Sequence, residues 1–369
     1  ARTVAAHGSR EALVAVHQDI RWTYDDFGDR VRRLAKSMLH AGLVKGDRVG
    51  LWAPNYAEWT LVQFATAEIG VILVNVNPAY RTHELAYALN QSGCRWVIAA
   101  PDFKTSNYVD MVASVRDECP QLERAVFFWT SDWDDLAGGD DSVTDERLAT
   151  IRDGLHPDDP INIQYTSGTT GFPKGATLTH KNILNNGYFT TELQSLTHED
   201  RLCIPVPFYH CFGMVLGNLA CTSHGATIVV PGPRFQPEAV LETVSAEQCT
   251  SLYGVPTMFI AALEHPGVES YDLTSLRTGI MAGAPCPVEV MKRVISDFNM
   301  TEVTIAYGMT ETSPVSTQTA PDDDIERRVS TVGRIHPHVS VKIVDPETGA
   351  TLERGESGEL CTSGYSVML

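Results

Sequence analysis

No two of the eight cysteines in this chain of 369 residues form a CxxC pair or the paired spacing of a zinc site. That excludes a dithiol redox motif and a structural zinc ribbon. Cys94, Cys119, Cys203, Cys211, Cys221, Cys249, Cys286 and Cys361 read instead as free, mostly buried thiols in a reducing compartment. Positive charge is also scarce, with 28 Lys and Arg against 46 Asp and Glu and a formal charge of -18. Phosphate-backbone binding needs clustered cations, so an extended nucleic-acid surface is excluded. A nucleotide pocket is not, because backbone N–H groups, one lysine and a metal can hold phosphates locally. Nor is there a long apolar run. The best stretch, 61–76, is interrupted by Gln63, Glu68, Gly70 and Asn75, which predicts a buried helix and then a buried strand rather than a transmembrane segment. The opening ARTVAAHGSREALVAV has neither an initiating Met nor the apolar core of a signal peptide, and reads as a trimmed start. A cytoplasmic location is expected, with room left for an organelle-targeting segment before Ala1.

What is present is the composition of a folded α/β protein: 43% hydrophobic and 20% charged residues, in a chain long enough for two or three lobes. Thr23 and Asp26 resemble a capping box, and Phe27, Val31, Leu34 and Met38 follow at helical spacing up to Gly42. Strands are predicted over 47–52, 71–76 and 96–100, alternating with helices over 55–69 and 83–92, the pattern of a parallel sheet. The acidic, Gly- and Ser-containing stretch 131–146 reads as an exposed loop between lobes. A second alternating series has strands over 161–165, 226–230, 251–254, 278–282 and 301–306 and helices over 180–191, 237–247 and 287–298. Beyond Pro321 the period-two run 339–344 and the turn at 345–349 predict a small antiparallel unit. The expected fold is therefore α/β, with two doubly wound, mostly parallel sheets, helices packed between and around them, and the start of a small antiparallel β subdomain. The expected boundaries are 1–150, 151–320 with the phosphate loop, and 321–369, the last incomplete.

The chemistry is most legible where the strand ending at Tyr165 runs into Thr166-Ser-Gly-Thr-Thr-Gly-Phe-Pro-Lys-Gly175. Its glycines let backbone N–H groups turn towards an anion, the hydroxyls of Thr166, Ser167, Thr169 and Thr170 add donors, and Lys174 supplies a positive charge. This suits a polyphosphate. A flexible linker would not need a fixed Pro-Lys-Gly ending between a buried strand and a helix near His180. A Walker A loop needs Gly-Lys-Ser/Thr, whereas Lys174 lies between Pro173 and Gly175.

This segment, followed by Pro207-Phe-Tyr-His-Cys-Phe-Gly213, Tyr253-Gly-Val-Pro-Thr257, Ala282-Gly-Ala-Pro285, Tyr307-Gly-Met-Thr-Glu-Thr-Ser-Pro314 and Val332-Gly-Arg-Ile-His-Pro337, resembles the signatures of the adenylate-forming superfamily across nearly the whole chain. The resemblance implies that Thr166, Ser167, Gly168, Thr169, Thr170, Gly171 and Lys174 hold ATP phosphates. It places Gly283, Ala284, Pro285, Tyr307, Gly308 and Met309 around adenine, Thr310 on the phosphate that stays with the adenylate, and Glu311 on Mg²⁺. A single carboxylate completed by phosphate oxygens is ordinary Mg²⁺ coordination. His210, in an otherwise apolar segment, would by itself be a satisfied core residue. By resemblance it orients or gates the acyl group, since a carboxylate nucleophile is already ionised and needs no base. Lys174, His210, Thr310 and Glu311 are thus the implied catalytic set.

Asn75-Val-Asn-Pro-Ala-Tyr, Tyr209-His-Cys and the ending from Gly358 resemble the fatty acyl-CoA synthetase branch, particularly its medium-chain members. The implied enzyme is a ligase of fatty acid metabolism, with fatty acid, ATP and coenzyme A as its partners. It would form acyl-AMP with release of pyrophosphate and pass the acyl group to coenzyme A. The acyl tunnel is expected near 212–217, 253–258 and 308–315. If the chain assembles, a homodimer is expected. The superfamily's ribose-binding Asp and C-terminal-domain Lys have no counterpart in this chain, so weak nucleotide binding and poor turnover are expected of it alone. Two alternatives stay open: an aryl-acid or amino-acid adenylating enzyme, and a P-loop NTPase or non-catalytic nucleotide-binding module.

Overall fold

The computed structural model describes residues 2–166 and 173–369. Its architecture is two sheets with helices between and around them. The smaller sheet has six strands in the order Lys174–Thr179, Pro160–Thr166, Ile72–Asn75, Arg48–Trp52, Trp96–Ala99 and Arg124–Phe127. Only Lys174–Thr179 is antiparallel to its neighbour. The larger sheet has nine, in the order Arg334–Ile335, Val315–Gln318, Glu302–Gly308, Thr278–Ala282, Ser251–Gly254, Arg201–Cys203, Thr227–Val230, Glu11–Ala15 and Ile20–Thr23. It is parallel from Glu302–Gly308 through to Glu11–Ala15 and antiparallel at both margins. Val339–Val344 and Glu359–Gly364 form the small antiparallel unit.

The central strands are buried on both faces, as a parallel sheet between helices requires. Alternation along one strand sorts its side chains between two cores: Leu13 and Ala15 face the core shared by both sheets, and Val14 faces the second. The shared core takes up the helices Tyr24–His40 and Ala57–Glu68. The first of these begins on a true capping box, with Thr23 Oγ1 accepting the Asp26 N–H and Asp26 Oδ2 accepting the Thr23 N–H, both at 3.1 Å. The second core lies under Pro237–Glu247, Pro256–Leu263 and Val288–Asp297. Among the described residues no helix is long and apolar enough to cross a membrane.

Three features depart from the sequence reading. The stretch 131–146 is not an exposed loop: Ser131–Gly138 is a helix packed on Tyr24–His40, with Trp133, Leu136 and Val143 buried. Its aspartates point outward and conceal a short apolar stripe. The helix His180–Leu193 does not follow directly on the predicted phosphate loop, because Lys174–Thr179 first returns as a strand against Pro160–Thr166. Finally, sheet membership crosses residue 150: the strands flanking the phosphate loop complete the smaller sheet, and Glu11–Thr23 completes the larger one.

Candidate functional site

Arg201–Cys203, Ser251–Gly254, Thr278–Ala282 and Glu302–Gly308 are parallel, so all four end on the same side of the larger sheet. Loops leaving the carboxyl ends of parallel strands converge, and that crevice is where open α/β sheets bind ligands. A cavity of about 300 Å³ lies there. His210, Gly283, Tyr307, Gly308, Met309 and Thr310 line it. Phe212, Leu216, Val255 and Val315 supply an apolar wall.

Backbone geometry explains two of the glycines. Gly283 has φ +87, a left-handed conformation that lets the chain turn away at the end of its strand. At Gly308 a Cβ would lie 1.8 Å from the Pro314 carbonyl oxygen, so only glycine lets the strand pass the following turn. Tyr307 and Met309 on either side are 38% and 47% exposed, leaving an aromatic face and a thioether free for a planar ligand. Ala284 and Pro285 are exposed beyond Gly283 and do not line the cavity.

Beside the cavity the two sheets meet through chemistry. Thr166 Oγ1 donates to Glu311 Oε1 at 3.1 Å. Thr166 is also paired in register with Lys174, which is exposed. Thr166, Lys174, Thr310 and Glu311 therefore cluster at one end of the cavity. Ser167, Gly168, Thr169, Thr170 and Gly171 lie outside the described residues. Among the described residues no cluster of three or more His, Cys, Asp or Glu could hold a metal unaided. Glu311 with neighbouring hydroxyl oxygens fits a hard cation that takes most of its ligands from phosphate and water.

His210 is not the satisfied core histidine that its apolar surroundings first suggest. It is exposed at the cavity, and among the described residues its ring makes no hydrogen bond. Desolvation in this recess lowers its pKa, favouring the neutral imidazole. Cys211, next to it, is fully buried, with Sγ 3.2 Å from Gln164 Oε1 and a pKa pushed up to about 12 by burial. It stays a thiol and serves as cavity wall, not as a nucleophile. Tyr253, placed by sequence in the acyl wall, is buried behind it, its hydroxyl accepting from Gln194 Nε2 at 3.0 Å.

Sequence reasoning missed Asn55, and named Asn75 only within a motif, yet both fix this lining from behind. Asn55 Nδ2 donates to the Val206 carbonyl at 2.9 Å and Asn55 Oδ1 accepts the Phe208 N–H at 2.8 Å. Asn75 Nδ2 donates to the Tyr209 carbonyl at 3.1 Å. Each asparagine stands in for a missing strand neighbour and ties the segment before His210 to the smaller sheet. A larger hollow of about 620 Å³ between helices, lined by Phe27, Phe64, Leu184 and Arg152 among others, includes none of the motif residues.

Fold and cleft together define an α/β protein of two sheets with a cavity at the ends of parallel strands, near the paired residues Thr166 and Lys174. The profile of the AMP-binding enzyme family matches residues 1–369, and the chain belongs to that family. It is 49% identical over 386 aligned positions to the Bacillus subtilis protein YngI, named as a putative acyl-CoA synthetase, covering 100% of this chain and 70% of that one. It is 42% identical to the mitochondrial medium-chain acyl-CoA ligase of Danio rerio, spanning 64% of that protein's length. The N-terminal domain of FACL13 from Mycobacterium tuberculosis has the same fold, with TM-score 0.86 at 22% identity and coverage of 100% of this chain and 88% of that one.

Proposed function

We propose that this chain carries the adenylation site of a fatty acid–CoA ligase, of medium chain length, acting in lipid metabolism. The observation that carries the reading is one cavity joining two unlike halves. The Tyr307–Thr310 turn offers stacking surface and hydrogen-bonding groups, and Phe212, Leu216 and Val255 offer an apolar wall. An acyl-adenylate is such a composite ligand. An amino-acid substrate is disfavoured, because among the described residues no Asp or Glu lines this cavity to receive an ammonium group.

In the proposed reaction a carboxylate oxygen of the fatty acid attacks the α-phosphorus of ATP in line. The bond to pyrophosphate breaks and acyl-AMP remains. The thiolate of coenzyme A then attacks the acyl carbonyl, and AMP leaves with its phosphate oxygen. Lys174 and Thr166, placed opposite each other on the hairpin, hold the departing phosphates, where charge grows in the transition state. Thr310 contacts the phosphate retained on the adenylate. Glu311, held by the Thr166 hydroxyl, would carry the Mg²⁺, which when bound neutralises phosphate oxygens. Neutral His210 orients or gates the carboxylate at the cavity mouth, with no proton to remove from it. A cytoplasmic location and a homodimer complete the proposal.

The test is product identity. Incubated with ATP, Mg²⁺, coenzyme A and octanoate, the protein should form AMP, pyrophosphate and octanoyl-CoA, and only when the acid is present. ADP formed without the acid would overturn the reading in favour of an NTPase.

A further inference from the structure

The helix His180–Leu193 follows directly on the strand that carries Lys174, and it turns two buried asparagines, Asn182 and Asn186, one helical turn apart, towards the Glu311 turn. Buried amides need a reason, since each must be fully partnered to avoid a desolvation cost. Here they are, and Asn182 already closes the helix's capping box with Thr179. Asn182 Oδ1 accepts the Thr179 N–H at 2.7 Å, at the end of the Lys174 strand. Its Nδ2 donates to the carbonyls of Tyr365 and, at 3.2 Å, Val367. Asn186 closes on Val315 from both sides, with Nδ2 to the carbonyl at 2.8 Å and Oδ1 from the N–H at 3.0 Å.

The segment that Asn182 holds in turn grips the site. Ser313 Oγ donates to the Ser366 carbonyl at 2.7 Å, and the Met368 N–H donates to the Glu311 carbonyl at 3.0 Å. Ser313 is fully buried at φ +74, a conformation a serine keeps only where its surroundings over-determine it. The Thr166–Glu311 contact completes a closed ring of bonds: the Lys174 hairpin, Asn182, residues 365–368, the Glu311 turn, and back to Thr166.

We infer that Asn182, acting through the segment Tyr365–Met368, and Asn186, acting through Val315 at the end of the Glu311 turn, are positioning residues that set the distance between Glu311 and the Lys174 hairpin for a metal–triphosphate. The inference rests on the functional reading above and extends it to residues that touch no ligand. A bracket around the metal carboxylate should matter most for a ligand that spans both sides of the ring. It should matter little for an alkyl-AMP ester, which lacks the β- and γ-phosphates.

The experiment is calorimetric titration of the full chain with ATP across a Mg²⁺ series, and with octyl-AMP, for wild type, Asn182→Ala and Ser313→Ala. Thermal midpoints are recorded alongside. Wild type should bind ATP more tightly as Mg²⁺ rises. Each variant should need about five- to tenfold more Mg²⁺ for the same gain, with octyl-AMP affinity changed less than about twofold. Should Asn182→Ala fail to fold, Ser313→Ala, which removes one hydroxyl contact, carries the test. A lowered thermal midpoint with an unchanged Mg²⁺ requirement would overturn the positioning role and leave the asparagines as fold stabilisers. A wild type that binds neither ATP nor octyl-AMP would overturn the functional reading itself.

Discussion

Lys174 and Leu216 mark the two ends of the proposed chemistry, one exposed on the hairpin and one lining the apolar wall, and they separate in experiment. On the proposed function, Lys174→Ala removes a fixed charge from the departing phosphates. The expected outcome is a loss of roughly a hundredfold in the rate of pyrophosphate release with little change in octyl-AMP affinity. Leu216→Ala should do the reverse, leaving ATP binding alone while moving the preferred alkyl ester to a longer chain, as competition among esters would reveal. Each methylene newly accommodated contributes about 0.8 kcal/mol. At this scale the sequence was informative where one residue type recurs within a short signature: His210, Tyr307 and Thr310 line the cavity, and Glu311 lies beside it. It was silent on Asn55 and Asn186 and gave Asn75 only as part of a motif, without its role; their partners lie 151, 129 and 134 positions away along the chain. An asparagine holding remote backbone looks, in sequence, like any other asparagine.

Among the elements, periodicity located most helices and strands well, because buried parallel strands are short apolar runs and their helices carry apolar stripes. It failed where composition pointed elsewhere. The Thr- and Gly-rich strand Lys174–Thr179 lacks an apolar run, and the helix Ser131–Gly138 hides Trp133 and Leu136 among aspartates. Trp133→Ala should therefore destabilise the protein by about 3–5 kcal/mol, measurable by denaturant unfolding, while leaving ligand affinity intact in the folded fraction. An exposed loop would give no such loss. Gly308→Ala belongs to the same scale and has the opposite signature. Its Cβ would strike the Pro314 carbonyl, so the turn carrying Thr310 and Glu311 must shift. Octyl-AMP binding should fall by at least about tenfold even where circular dichroism shows a folded chain.

For the molecule as a whole, the interleaving of the sheets is the decisive feature. Glu11–Thr23 joins the larger sheet and 160–179 the smaller, so neither sheet is complete without strands from the other's part of the chain. Such pairing is non-local, which is why a boundary drawn from a local acidic stretch could not anticipate it. The same packing buries histidines as neutral rings. His336 is buried with Nε2 3.0 Å from Gln318 Oε1, and burial lowers its pKa to about 4; His17 and His180 are lowered in the same direction. The unfolded chain then binds more protons than the folded one between pH about 6.5 and about 4, so stability is lost as pH falls through that window. His336 alone accounts for up to ~3 kcal/mol of this loss. Thermal midpoints should drop from about pH 7 to about pH 5, and His336→Gln should flatten the drop. The most direct test of the central claim is calorimetric titration of this chain with ethyl, octyl and dodecyl esters of AMP, with AMP as reference. An adenylation site for fatty acids predicts binding that tightens about fourfold per methylene until the apolar wall is filled. AMP binding with no gain from any alkyl chain would contradict it.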